Sequence, residues 1–263
     1  MVRRALGIRR NVSVVLALLI FVIAALPAGA AGDGSLERIR NAGYLVVGIE
    51  GAFPPFNMFD ENGQLVGFDV DIAREVARRL GVEVRFVPTA WEGIVVGLLI
   101  GNYDVIISSL AITPERQERV AFTQTYYRSG AQIVVRSGSD ITGVGDLRGR
   151  RVGATIGTTY LDTLEELGIP AIGYESDLPA FQDLALGRLD AVVTDRLVAI
   201  MIINERGYDM RLVGELLFTE NIGIAVRHQD EDLRIAIDEA LTAMYEDGTY
   251  SAISHKWFGT DIR

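Results

Sequence analysis

Short apolar runs alternate with amphipathic stretches along most of this chain, and several runs end in an abrupt change to polar residues. Residues 44–49 form a near-continuous apolar run, which predicts a buried strand. Residues 68–80 place Ala73, Val76, Ala77 and Leu80 at i, i+3, i+4 and i+7, the stripe of a helix packed on a core, and Gly81 ends it. Residues 82–86 alternate as a strand, an apolar helix follows to Ile100, and residues 103–107 read as a second buried strand. Residues 122–127 lead into a further strand over 131–135, and others are predicted over 151–154, 171–174, 190–193 and 223–226. Helices are predicted over 36–41, 161–167, 178–186, 196–205 and 230–245, with a turn, short helix and aromatic plug over 247–259. Such alternation predicts an α/β fold of mainly parallel sheets covered by helices on both faces.

One internal echo organises the pattern. Residues 98–109, LLIGNYDVIISS, resemble residues 184–195, LALGRLDAVVTD. Each copy reads as helix, glycine, two residues, aspartate, buried strand and a polar pair at the strand end. Asp104 and Asp190 fit as turn-stabilising residues with no ligand role. The strand tips differ in charge: Ser108 and Ser109 with Arg116 nearby in the first copy, Thr194 and Asp195 in the second. Two similar lobes with opposite charges at their strand tips imply a cleft that grips a zwitterion.

The chemistry at the first tip follows from local geometry. Thr113 can cap a helix that starts at Pro114, with Glu115 near the positive end of its dipole. Arg116 then lies beside the strand tip, where ligands gather in open α/β sheets. A guanidinium fork with two hydroxyls and free backbone N–H groups suits a small carboxylate. A surface arginine paired with Glu115 or Glu118 is the other reading. Asp195 likewise stands either as a ligand acid or as the N-cap of the 196–205 helix. After the 44–49 strand, Pro54 and Pro55 predict a rigid loop that displays Glu50 and the aromatics Phe53 and Phe56. Trp91 follows the 82–86 strand in the same way.

Composition narrows the classes. At 263 residues the chain suits one large domain or two of roughly 100–150 residues. It has no cysteine, which excludes disulfides, thiol nucleophiles and cysteine zinc sites, and its two histidines, His228 and His255, are too few for a histidine-rich metal site. No cofactor is expected. Arg3, Arg4, Arg9 and Arg10 precede an apolar core over 12–26 and the small residues Ala28-Gly29-Ala30, which predicts a secretory signal peptide over 1–30 or, failing cleavage, an N-terminal anchor. No cysteine follows for lipid attachment. Removing residues 1–30 takes away four arginines and no acids, moving the formal charge from −10 to −14. So acidic a chain is a poor partner for nucleic acid or anionic lipid.

Several stretches together resemble the extracellular solute-binding proteins of family 3, the amino-acid receptors of ABC importers. They are Ala52-Phe53-Pro54-Pro55-Phe56, Gly67-Phe68-Asp69-Val70-Asp71, residues 108–116, Gly157-Thr158-Thr159, residues 190–195, Asp247-Gly248-Thr249-Tyr250 and Lys256-Trp257-Phe258-Gly259. The resemblance runs from about residue 36 to the C-terminus. It implies a two-lobed, type II periplasmic-binding-protein-like fold, each lobe a mainly parallel sheet flanked by helices, closing through two hinge crossings. Lobe 1 would comprise 31–127 plus 223–263, lobe 2 would comprise 131–217, and the hinges would be 126–130 and 218–222.

By the same resemblance Arg116 matches the arginine that takes the ligand α-carboxylate, and Asp195 the acid that takes the α-ammonium. Ser108, Ser109 and Thr159 fall among positions that contribute backbone or hydroxyl contacts. Phe53 and Trp91 match aromatics that sandwich the ligand side chain. Ala111 replaces a hydroxyl or small residue, Glu50 stands where an aspartate is frequent, and Thr155 where some relatives carry lysine. The implied product is a periplasmic monomer that binds a polar or basic L-amino acid (arginine, lysine or ornithine, glutamine, or cystine). It would pass the ligand to an inner-membrane permease and its ATPase, without catalysis. A cyclohexadienyl dehydratase-like enzyme on the same scaffold and a sensory ligand-binding component are the rival expectations.

Overall fold

A computed structural model describes residues 32–263, so the signal-peptide expectation for residues 1–30 lies outside the described residues. The chain enters through α1 (Ser35–Ala42) and β1 (Tyr44–Ile49), then β2 (Ala52–Phe53), β3 (Asn57–Phe59) and β4 (Leu65–Val66). Next come α2 (Phe68–Leu80), β5 (Glu83–Pro88), α3 (Ile94–Leu99), β6 (Val105–Ile106) and α4 (Pro114–Gln117). A long strand, β7 (Ala121–Arg136), leads to β8 (Val152–Thr155), α5 (Thr159–Glu166), β9 (Ala171–Tyr174), α6 (Asp177–Ala185) and β10 (Ala191–Asp195). The chain finishes with α7 (Arg196–Arg206), β11 (Met210–Val213), β12 (Thr219–Val226), α8 (Glu231–Glu246) and α9 (Thr249–Phe258).

The main sheet runs β5-β1-β6-β12-β7-β10-β8-β9, with β11 added beside β7. Pairs β1–β5, β1–β6, β8–β10 and β8–β9 are parallel, as the βα alternation predicts, while β7 and β12 run antiparallel to their neighbours. The sequence predicts a strand over 131–135 with 122–127 leading into it, and the structure makes both one strand that continues unbroken through Arg128, Ser129 and Gly130. Long-range pairing explains the continuity, since β12 supplies Asn221, Glu220 and Thr219 as their register partners. At Ala131 the partner changes to β10, with Ala131 opposite Asp195. Gly130 allows the close approach at this change-over, because a Cβ there would lie 2.4 Å from the Phe218 carbonyl oxygen.

The prolines of the predicted loop sit at the turn of a small hairpin, between β2 and β3, where no ladder N–H is required of them. Beneath it, Phe56 lies against Phe68, Tyr127 and Phe258, with ring centroids 6.0, 4.7 and 5.2 Å away. The C-terminal aromatic plug therefore packs on the Pro-Pro-Phe segment. Along β7, Ala131, Ile133 and Val135 face one buried cluster with Val152, Ala154 and Leu164, while Val134 faces the other with Phe181 and Val192. This is the period-2 division expected of a strand covered on both faces.

The internal echo extends further than the sequence pattern reveals. Asp104 accepts the Val46 N–H of the neighbouring strand at 3.0 Å, and Asp190 accepts the Arg151 N–H in the same manner at 2.9 Å. Arg227, just beyond β12, donates to the carbonyls of Leu98 and Tyr103; Arg136, at the end of β7, donates to those of Leu184 and Leu189. These carbonyls occupy equivalent places in the two copies. Each helix–turn–strand unit is thus clamped by an arginine at, or one residue beyond, the end of a long strand.

Candidate functional site

The strand ends converge on a partly enclosed cavity. Eight of the ten residues expected there line it: Glu50, Phe53, Trp91, Ser109, Ala111, Arg116, Thr155 and Thr159. Ser108 and Asp195 do not. Ser108 lies just beneath, where its hydroxyl accepts the Glu50 N–H at 3.0 Å. Asp195 is buried and caps α7, its Oδ1 accepting the N–H groups of Leu197 at 2.7 Å and Val198 at 3.2 Å. Four lining residues escape the sequence reading: Thr158, Tyr160, Asp177 and Glu220. Asp177 follows β9 and was open to the same strand-end rule that selected Glu50. Glu220 carried one signal, an acid within the expected crossing at 218–222.

Arg116 is placed by its local sequence. Thr113 caps α4, its hydroxyl oxygen accepting the Arg116 N–H at 3.1 Å, and Pro114 occupies the first helical position. The guanidinium forms no ion pair with Glu115 or Glu118. It donates instead to the Ala111 carbonyl at 3.0 Å and, across the cavity, to the Gly157 carbonyl at 3.1 Å. Trp91 Nε1 donates to the same Gly157 oxygen at 3.0 Å. Two of the five guanidinium N–H groups are thereby used, leaving three for a ligand. Burial lowers the Arg116 pKa, with Glu220 the largest opposing influence.

Glu220 is the acid beside this cation. Its carboxylate accepts the hydroxyl of Tyr160 at 3.0 Å and that of Thr159. Burial raises its pKa, opposed by those hydroxyls and by Arg116. Glu50 and Asp177 define a second acidic region. Asp177 is buried and accepts the Thr155 hydroxyl at 2.9 Å and the Thr194 hydroxyl at 2.8 Å. Burial, and then the charge of Asp177, push the Glu50 carboxyl up to about 8. Phe53 and Trp91 supply aromatic surface in the same cavity.

A further acid supports the site. Asp69 is fully buried and accepts hydrogen bonds from Asn57 Nδ2 at 2.9 Å, Ser109 Oγ at 2.8 Å and the Tyr126 hydroxyl at 2.7 Å. Asn57 in turn accepts the Gly51 N–H at 2.7 Å, and the Ser109 N–H donates to Tyr126 at 3.2 Å. This network fixes Ser109 at φ 55°, a left-handed conformation uncommon for a residue other than glycine. With its O–H directed at Asp69, Ser109 offers a ligand an acceptor lone pair. Among the described residues, no group of three or more histidines, aspartates or glutamates is placed to hold a metal ion.

These buried acids set a pH dependence. Burial is the main cause that raises Asp69 and Asp177 from 3.8 to about 6, Asp195 from 3.8 to about 7 and Glu50 from 4.5 to about 8. From about pH 4 to pH 8 the folded state therefore holds more protons than the unfolded chain, and stability falls as pH rises. The ligand-free protein is expected to melt at a lower temperature near pH 8 than near pH 5, measured by circular dichroism. A melting temperature that climbs over that interval contradicts the assignment.

Residues 45–260 match the family model of the bacterial extracellular solute-binding proteins, family 3. The chain is 36% identical over 236 residues to the L-cystine-binding protein TcyJ of Escherichia coli strain K12, covering 88% of this chain and 89% of that one. It is 35% identical over 228 residues to an L-arginine-binding protein of Pseudomonas aeruginosa, covering 82% and 88%. Its fold matches the crystal structure of the ancestral amino acid-binding protein AncCDT-1, a precursor of cyclohexadienyl dehydratase. That match has a TM-score of 0.80 at 36% identity and covers 85% of this chain and 99% of the other.

Proposed function

Because this chain belongs to the bacterial extracellular solute-binding proteins, family 3, with their two-lobed type II fold, we propose that it captures a polar or basic L-amino acid for an ABC importer. The observation that carries this reading is that Arg116 and Glu220 line one cavity within electrostatic reach of each other, a cation and an anion matched to the two charges of an α-amino acid. Arg116 takes the α-carboxylate through its remaining N–H groups. Glu220 takes the α-ammonium, with Asp195 a second acid behind it in its helix-capping position. Phe53 and Trp91 enclose the side chain.

Lobe 1 is 31–127 plus 223–263, lobe 2 is 131–217, and the hinges are 126–130 and 218–222. The exchange of β7 partners at Gly130 and Ala131 supports this division. Contacts of Arg116 and Trp91 with Gly157 then join the lobes across the cleft and favour closure around a bound ligand. The protein works as a periplasmic monomer that delivers its ligand to a membrane permease and its ATPase. The named ligands of its relatives, cystine and arginine, fall in the proposed class.

Calorimetric titration of ligand-stripped mature protein with the twenty L-amino acids, ornithine and cystine tests the reading. Tight binding of at least one polar or basic member is expected; no binding by the folded protein overturns it. AncCDT-1 is itself an amino acid-binding protein but a precursor of cyclohexadienyl dehydratase, which makes a dehydratase the second reading, with Glu50, Asp177 or Glu220 as its proton-transfer groups. No turnover of prephenate or arogenate is expected from the purified protein.

A further inference from the structure

We infer that Asp177 is a specificity-determining residue, which forms with Glu50 a two-carboxylate subsite for a cationic group at the end of the ligand side chain. This assignment rests on the amino-acid-binding reading above and narrows it to basic ligands.

The two acids come from separate parts of the chain. Glu50 follows β1, whereas Asp177 begins α6 after β9, yet both line the cavity. Asp177 is held from behind: the hydroxyls of Thr155 and Thr194, at the ends of β8 and β10, donate one hydrogen bond to each of its oxygens. A carboxylate offers about four lone-pair positions, so about two remain for a ligand. Neither acid forms an ion pair with a described residue.

The electrostatic layout gives the cavity a direction. Arg116 is the one basic residue among the lining side chains, and its acidic neighbour is Glu220. Arg116 contributes to the electrostatics of Glu220, whereas Glu50 is influenced by Asp177. One region thus matches a zwitterionic head and the other places two acids together without a cation. Buried charges are ordinarily paired or neutralised. A guanidinium or ammonium supplies the missing positive charge, and Phe53 and Trp91 present ring faces that stabilise a cation as well as an alkyl chain. Glutamine brings hydrogen-bonding groups but no positive charge to this region, and cystine brings its second α-ammonium only together with a second α-carboxylate, for which the region holds no cation.

Titration of the intact mature protein with arginine and citrulline isolates the charge, because a neutral ureido group replaces guanidinium at nearly the same size. Arginine is expected to bind roughly a hundredfold or more tightly than citrulline, and Asp177→Asn is expected to cut that ratio at least about tenfold. Glu50→Gln tests the other half of the subsite and is expected to act in the same direction. Circular dichroism melts confirm that each variant is folded, and Asp177→Ser replaces Asp177→Asn if the latter does not fold. Equal loss for both ligands in the folded Asp177 variant assigns Asp177 a structural role and overturns the inference. Tight binding of glutamine or cystine with arginine ignored overturns it while preserving the transport reading. Failure of every amino acid to bind overturns both.

Discussion

Arg116→Ala is expected to weaken ligand binding by about 2–5 kcal/mol, a loss of roughly thirtyfold to several-thousandfold in affinity. The α-carboxylate would otherwise enter a cavity lined by the acids Glu50, Asp177 and Glu220 with no cation to receive it. Arg116→Lys retains the charge but loses the planar fork that contacts Ala111 and Gly157 while presenting further donors. Its affinity is expected to fall between those of wild type and the alanine variant. Calorimetry with the tightest ligand of the panel measures both changes, and a wild-type dissociation constant for Arg116→Ala removes the carboxylate assignment.

Asp69→Ala is expected to destabilise the protein by about 3–5 kcal/mol, because three buried donors lose one shared acceptor. The side chains of Asn57, Ser109 and Tyr126 all converge on this carboxylate. For a protein of this size the melting temperature should fall by roughly 10 °C or more. Ligand affinity should fall as well, since the same network fixes the Ser109 backbone and, through Asn57, the start of the β2–β3 hairpin. Asp69→Asn preserves shape but replaces one acceptor oxygen by a donor, so an intermediate loss is expected. A melt that superimposes on wild type contradicts the proposed keystone role of Asp69.

Much of the site was legible because its placement is local. The apolar run ending at Ser108 identifies a buried strand tip, and Thr113-Pro114 identifies the helix start that carries Arg116. Phe53 and Trp91 likewise follow strands whose periodicity is plain. The difficult residues obey the same local rules but have more than one use. Asp195 satisfies a strand-tip reading and an N-cap reading equally well; the fold shows its capping bonds and its position outside the cavity lining. Asp69 occupies a recognised motif, yet its helical position gives no indication that Asn57, Ser109 and Tyr126 converge on it.

The sequence by itself determined the α/β alternation, the repeated helix–turn–strand unit, the cap that presents Arg116 and most of the residues at the strand tips. Side-chain periodicity, proline geometry and helix capping act over a few residues and are written directly in order and spacing. Tertiary structure decided that residues 121–136 form one strand, that Glu220 rather than Asp195 lines the cavity beside Arg116, and that Asp177 joins Glu50. Those outcomes depend on pairing β7 with a strand about 90 residues later and on bringing separate strand ends around the same space. Long-range packing determines which side of a buried strand or helix end faces a ligand, and the local pattern is the same for either side.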